Sequence, residues 1–360
     1  MFLFALVAMA RWGREVIAEL GLVQKTLLLG TAVYVLAWGT YHGDMAVWIT
    51  TISWLLAIAM VPASLGFAAG GGLSGEGHWK LLGLAAIVHV LLFLLALYLL
   101  WDTEDYPWTN RTPGFNNIRH LTYLLVPAAV VAGTLHMTQS ERRLWPLISF
   151  AAAVFYLFLT GARGGVFAVT LALPMMLVIC RVMGGVTISG RVVQLATLYL
   201  ALLGIVAAIP DLPFDSIWAR AESLAQGGTV TGGRWGVWTA SAEAIRDNWL
   251  FGVGPVALGN IQGPTEEFAL NHPHNLLFQI LLNWGVLGSA LLIATGAALA
   301  VRVFDLDRTE LADRCPALAA ILGMFIHALV DGGLYYLFSV AIFLIAFVVL
   351  IRPSERLQAG

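Results

Sequence analysis

Apolar residues run in stretches of about twenty along nearly the whole chain, separated by short polar joints, and a bilayer core needs about that many residues in helical form. Windows of this length predict spans at 26–42, 45–69, 81–101, 118–138, 144–160, 165–183, 191–209, 275–302, 316–333 and 335–351. The opening run Met1–Ala10 is too short to span by itself, and Arg11–Leu20 after it reads as amphipathic. No basic region precedes that run and no cleavage site follows it, so it lacks the form of a signal peptide. Two polar stretches are long, 102–117 and 210–274. A loop of about sixty residues in a compact membrane protein is usually functional. With no internal repeat and no low-complexity linker, the expectation is an all-α fold. It is a single integral membrane domain over 1–360, a polytopic transmembrane helical bundle of about 10–12 spans, with 210–274 as a large outer loop containing amphipathic helices.

Composition closes off the soluble alternative. Apolar residues make up 59%, charged residues 11%, and the mean hydropathy is +0.84. A soluble domain carries roughly 25% charged residues, so this chain has too few charges to cover its outside in water. A net charge of −2 and a pI near 6.4 exclude the strongly basic footprint of a nucleic-acid binder. Cys180 and Cys315 lie beside arginines at segment ends without metal-ligand partners in sequence, and read as structural thiols.

Placing 1–25, 70–80, 139–143, 184–190, 303–315 and 352–360, with the adjoining helix ends, on one side gives that side 13 of the 19 Lys and Arg residues. The other side keeps Arg111, Arg119, Arg163, Arg220, Arg234 and Arg246. The positive-inside rule makes the first side cytoplasmic, and both long loops then face outward.

In the longer loop, Thr231–Trp249 has helical periodicity: Trp235, Trp238, Ala242, Ile245 and Trp249 recur at steps of three or four. Such a helix either lies in the headgroup plane or packs its tryptophans on the ends of the spans. Gly232-Gly233 before Arg234 would place backbone N–H groups and a guanidinium together at a helix start, a plausible anion site. Phe251-Gly-Val-Gly-Pro255 reads as a tight turn returning to the membrane, without the strand context of a nucleotide loop.

Three further features sit at the outer edge. His272 and His274, in Asn271-His-Pro-His-Asn275, open a span; each is either a cap and anchor or, with an ordinary pKa of about 6.5, a general base. Arg163, in Thr160-Gly-Ala-Arg163-Gly-Gly165, lies between two spans where an arginine must snorkel or find an anion. Asp331, before Gly332-Gly333, is either a counter-ion for Arg163 or a partner for a histidine. Cations, imidazoles and a carboxylate on one face, beneath an amphipathic cap, suit a ligand with a lipid tail and an anionic head.

These residues carry a resemblance. Thr160-Gly-Ala-Arg163-Gly-Gly165, Gly232-Gly-Arg234-Trp-Gly-Val-Trp238, Leu250-Phe-Gly-Val-Gly-Pro255, His272-Pro-His-Asn-Leu-Leu-Phe-Gln279 and Trp284-Gly-Val-Leu-Gly288 follow one another as in the O-antigen ligases. With Gly114-Phe-Asn-Asn-Ile-Arg119 they extend over about 110–335, and the sequence resembles that superfamily of O-antigen polymerases and ligases. It departs in showing ten spans and a stub where about twelve are usual, and Gly-Ala-Arg where many members have Ser-Arg. No soluble repeat domain follows the last span, which points away from the larger protein O-glycosyltransferases.

The resemblance implies a GT-C-like membrane glycosyltransferase in the bacterial inner membrane, with its active site facing the periplasm. It would move a polysaccharide from undecaprenyl diphosphate to lipid A–core oligosaccharide, without cofactor or metal and with membrane lipids as its surroundings. By position, His274 would be the general base, and Arg163 and Arg234 would bind the diphosphate; Arg119, His272, Asn275 and Asp331 would support them. A sugar diphosphate is already activated, so the protein has to align the hydroxyl and stabilise the departing phosphate.

Three alternatives compete. A metal-dependent transfer would use Asp102, Glu104 and Asp105, which otherwise read as a solvated acidic loop. A polymerase would take a second lipid-linked glycan as acceptor. A lipid or glycan transporter would need midplane ionisable groups; the candidates are His89, His136 and His327, each readable as a satisfied interior histidine.

Overall fold

The computed structural model describes residues 20–43, 45–69, 76–101, 103, 106–108, 117–139, 143–184, 190–209, 212–227, 234–254 and 272–351. The stub at Met1–Ala10, the acidic cluster at Asp102, Glu104 and Asp105, Gly114–Asn116, Gly232-Gly233, Pro255 and Asn271 lie outside the described residues.

Twelve α-helices are described: α1 Leu22–His42, α2 Met45–Ala69, α3 Gly77–Leu100, α4 Thr122–Thr138, α5 Leu144–Leu159, α6 Arg163–Gly184, α7 Arg191–Ala207, α8 Ile217–Ala225, α9 Arg234–Asp247, α10 Leu276–Ala300, α11 Arg308–Ala328 and α12 Leu337–Ile351. Five of them, α1, α3, α6, α10 and α11, are long and apolar enough to cross a bilayer; five shorter apolar helices accompany them. This is a polytopic, multi-pass membrane protein, and each predicted window holds one helix. The largest shift is in one window: 316–333 becomes a helix from Arg308 to Ala328. Because the helix stops there, the carbonyls of Leu329 and Val330 are free to accept hydrogen bonds from elsewhere.

The helices fall into two compact units, α1, α2, α9, α10 and α12 in one, and α3 to α8 with α11 as far as His327 in the other. In the second unit α4 is the central helix, buried along nearly all its length. It packs on α3, α5 and α6. Gly133 lets Leu173 of α6 approach so closely that a Cβ would stand 2.7 Å from its Cδ2. Small residues at such crossings do in lipid what apolar burial does in water.

In the first unit α1 lies against α10, with Thr31 Oγ1 and Thr295 Oγ1 2.8 Å apart. α10 is broken at Gly285, where φ is 61 and ψ is −172, a region open essentially only to glycine. A break in a span frees backbone groups that hydrocarbon cannot satisfy. The turn after α9 satisfies them. Val253 N donates to Leu282 O at 2.7 Å, Val286 N to Trp249 O at 2.8 Å, and Leu287 N to Leu250 O at 3.3 Å. From α1, Trp38 Nε1 donates to Asn283 O at 2.8 Å and the Tyr34 hydroxyl to Trp284 O at 2.6 Å. The predicted return turn is therefore present as far as Gly254, and it plugs the break.

The predicted apolar face of α9 needs correction. Val237 and Ser241 are buried, and Val237 packs with Leu282, Ala244, Ile245 and Val253. Trp235 and Trp249 are instead 69% and 57% exposed. The buried stripe lies between the tryptophans because the face is set by the small side chains that fit against α10. Of the two placements expected for the tryptophans, packing on the span ends is not what Trp235 and Trp249 do.

Candidate active site

The site is built where α9, the start of α10 and the segment after α11 meet, all within the first unit. Asn275 starts α10 as its N-cap: its Oδ1 accepts from Leu277 N at 2.9 Å and Phe278 N at 3.2 Å. Its Nδ2 donates to Leu329 O at 2.9 Å, so the same side chain ties α10 to the segment that carries Asp331. Both ends of the amide are occupied by structure, which makes Asn275 a scaffold residue.

His274 precedes that cap with a φ of 50, the one non-glycine residue with positive φ among the described residues. Left-handed backbone of this kind costs of order 1–3 kcal/mol and persists only where its surroundings hold it. Here they do. His274 Nδ1 lies 2.8 Å from Asp331 Oδ1, with the two side chains 20% and 16% exposed. Asp331 Oδ1 also accepts from Gly332 N at 2.7 Å, which fixes the carboxylate. An acceptor at Nδ1 puts the ring proton there and leaves Nε2 as a lone pair able to take a proton.

His272 is buried behind this pair, its ring centroid 4.1 Å from that of His274 and 6.0 Å from that of Tyr336. Gly332 makes the packing possible, since a Cβ there would stand 2.1 Å from His272 Cε1. His272 is thus a wall that holds its neighbour in place.

α9 reaches the same place from the other side. Arg234, its first residue, donates through Nη1 to Val330 O, next in the chain to Asp331. One turn on, Trp238 Nε1 donates to Pro273 O at 2.8 Å, next to His274, and its ring stacks on Phe278 at 6.3 Å. In the sequence Trp238 is only one member of an apolar stripe. Nothing in its spacing signals the indole donor role, which depends on a carbonyl that Pro273 leaves unpaired.

Of the predicted residues, the fold gathers His272, His274, Asn275, Asp331 and Arg234. The choice left open for Asp331 falls on the histidine. Arg163 and Arg119 belong to the second unit and have their own surroundings. Arg163 begins α6 after the turn Thr160-Gly-Ala162, where Gly161 has φ +59. A Cβ on Gly161 would meet Asp215 O at 2.4 Å, and Asp215 pairs with Arg220 at 3.3 Å. Among the described residues the Arg163 guanidinium has no hydrogen-bond or ion-pair partner. Arg119 lies in the turn before α4, its N–H donating to Asn117 Oδ1 at 2.8 Å.

Two of the interior histidines have partners of their own, His89 Nδ1 at 2.8 Å from Ala85 O and His136 Nε2 at 3.2 Å from Gln194 Oε1. His327 packs on Tyr123 at 5.4 Å. Among the described residues no three His, Cys, Asp or Glu side chains gather as a metal site. Cys180 and Cys315 are buried and unbridged, with their sulfurs 3.2 Å apart.

Residues 148–293 match the family model described as O-antigen ligase. That span contains Arg163, Arg234, His272, His274 and Asn275; Arg119 and Asp331 lie beyond it. Comparison with curated proteins finds no match.

Proposed function

With a domain of the O-antigen ligase and polymerase family, of membrane glycosyltransferase type, over residues 148–293, we propose that this protein transfers a polysaccharide from undecaprenyl diphosphate to lipid A–core oligosaccharide at the periplasmic face of the inner membrane. One observation carries the reading. His274 is held in strained backbone with its Nδ1 2.8 Å from Asp331 Oδ1, which leaves Nε2 as the ring nitrogen not bonded to Asp331.

The acceptor hydroxyl gives its proton to His274 Nε2 as its oxygen attacks the anomeric carbon. The bond from that carbon to the diphosphate oxygen breaks, and undecaprenyl diphosphate leaves with the electron pair. Asp331 stabilises the imidazolium that forms, and Gly332 N keeps the carboxylate in place. Charge growing on the leaving group calls for preorganised cations. Arg163 and Arg234 take that role, since a guanidinium matches phosphate bidentately. Arg163 is supported by its lack of a hydrogen-bond or ion-pair partner among the described residues, and Arg234 by its place at the helix start, bonded to Val330 O beside Asp331. His272 and Asn275 position the base; Arg119 is a further cation for the donor.

The outward orientation is supported by the distribution of 13 of 19 basic residues on the opposite side. Purified protein in proteoliposomes, given lipid-linked glycan with either lipid A–core or a second lipid-linked glycan, tests the acceptor. Glycosylated lipid A–core is the expected product. A lengthened lipid-linked glycan would make the enzyme a polymerase, and movement of glycan without new bonds would make it a transporter.

A further inference from the structure

Between α6 and α7, within the second unit, lies an apolar cavity of about 320 Å³. Met137 of α4 and Phe150 of α5 form its floor, and Leu173, Leu177, Leu195 and Ala196 line its walls. Thr170 and Tyr199 bridge the two helices, their hydroxyls 2.6 Å apart. Thr170 already donates to Val166 O at 2.7 Å, so Tyr199 is the donor to Thr170, and the bridge presents no unsatisfied proton to the cavity. Thr170, Ala196 and Leu200 are exposed at its rim, so the cavity opens sideways on helices that lie in lipid.

The size falls in the range of small-ligand sites, about 300–1,000 Å³. The lining is nearly all hydrocarbon, which selects an alkyl or isoprenoid chain. Its place along α6 narrows the choice. Val169 and Leu177, both lining residues, are six and fourteen residues after Arg163, hence about 9 and 21 Å from it along the helix. A hydrocarbon core is about 30 Å thick, so its midplane lies about 15 Å below either surface. An acyl chain of the leaflet at Arg163 ends near that midplane, whereas the cavity continues past it.

We infer that this groove holds the polyprenyl tail of the diphosphate donor, with Arg163 at the head of the same helix taking the diphosphate. This rests on the proposed use of a lipid-linked donor. α6 then serves as a ruler: its first turn meets the anionic head, and its third to fifth turns receive the part of the tail that a shorter lipid does not have.

The test is photo-crosslinking of the full-length protein in nanodiscs with a benzophenone-bearing C55 polyprenyl diphosphate. Adducts are expected on peptides covering 169–177 and 192–200, and unlabelled undecaprenyl diphosphate should compete them away several-fold. A C15 diphosphate and phosphatidylglycerol at equal concentration should compete poorly. Ala196→Trp should lower the adduct yield several-fold by filling the groove; Leu200→Trp, at a position 64% exposed, gives the same test where folding is least at risk. Equal competition by phosphatidylglycerol would make this a bulk-lipid groove and overturn the inference, as would adducts elsewhere or undiminished yield in both variants. Adduct formation needs no turnover, so it is measured equally well in His274→Ala. Adducts in the groove with full transfer in that variant would overturn the proposed base while leaving the groove standing.

Discussion

Replacing Asp331 separates two things its carboxylate does for His274. Oδ1 takes both contacts, from His274 Nδ1 at 2.8 Å and from Gly332 N at 2.7 Å. In Asp331→Asn the backbone donor dictates which way the amide faces, because the NH2 group would confront another N–H. The amide oxygen therefore stays in place and still accepts from Nδ1. The tautomer and ring orientation survive, and only the negative charge is lost. Hydrogen bonds to charged groups contribute about 1.5–3 kcal/mol against about 1 for neutral ones. The loss of roughly 1–2 kcal/mol corresponds to a fall in kcat of about 5- to 30-fold. Asp331→Ala removes the acceptor altogether, frees the ring to turn and leaves Gly332 N without its acceptor. Its kcat should fall by about 100-fold or more, the full charged-bond value with the backbone penalty added. Steady-state transfer in proteoliposomes, at saturating donor and acceptor, gives both numbers. Equal losses in the two variants would mean that geometry plays no separate part, and wild-type rates in Asp331→Ala would remove the dyad from the mechanism.

Other predictions follow from the same contacts. Arg163→Lys and Arg234→Lys should only partly restore the donor KM lost in the alanine variants, because a point charge lacks the guanidinium fork; full restoration by lysine would count against diphosphate chelation. Gly285→Ala should destabilise the protein by at least the roughly 1–3 kcal/mol of a backbone region closed to alanine, since its Cβ would stand 2.3 Å from Leu250 O; a thermal midpoint in detergent equal to wild type would show that the break relaxes freely. Trp238→Phe keeps the stack on Phe278 but loses the bond to Pro273 O. It should reduce kcat several-fold with little change in thermal midpoint, and an unchanged kcat would confine that bond to stability.

The spans were legible because twenty-residue apolar runs have few alternatives in lipid, and all ten windows hold helices. The end of α11 was misplaced for a physical reason: Leu329 and Val330 are apolar enough to continue a span, but their carbonyls are claimed by Asn275 and Arg234 from distant parts of the chain. The face of α9 was misread because hydropathy gives tryptophan more weight than the small side chains that fit against Leu282. His274 and Asp331 were each legible as oddities, a histidine at a span mouth and a carboxylate before two glycines. Their pairing joins residues 57 apart in sequence and is one of two options there; the fold brings the carboxylate to the histidine, and the backbone N–H of Gly332 orients it. The break at Gly285 left only a trace in sequence, a glycine beside a tryptophan, because its cause is the turn that fills it.

The central claim is that the imidazole of His274 removes the acceptor's proton. Purified His274→Ala, reconstituted with lipid-linked glycan and lipid A–core, should bind donor with wild-type affinity and yield no transferred glycan above background. Wild-type transfer by that variant would contradict the claim.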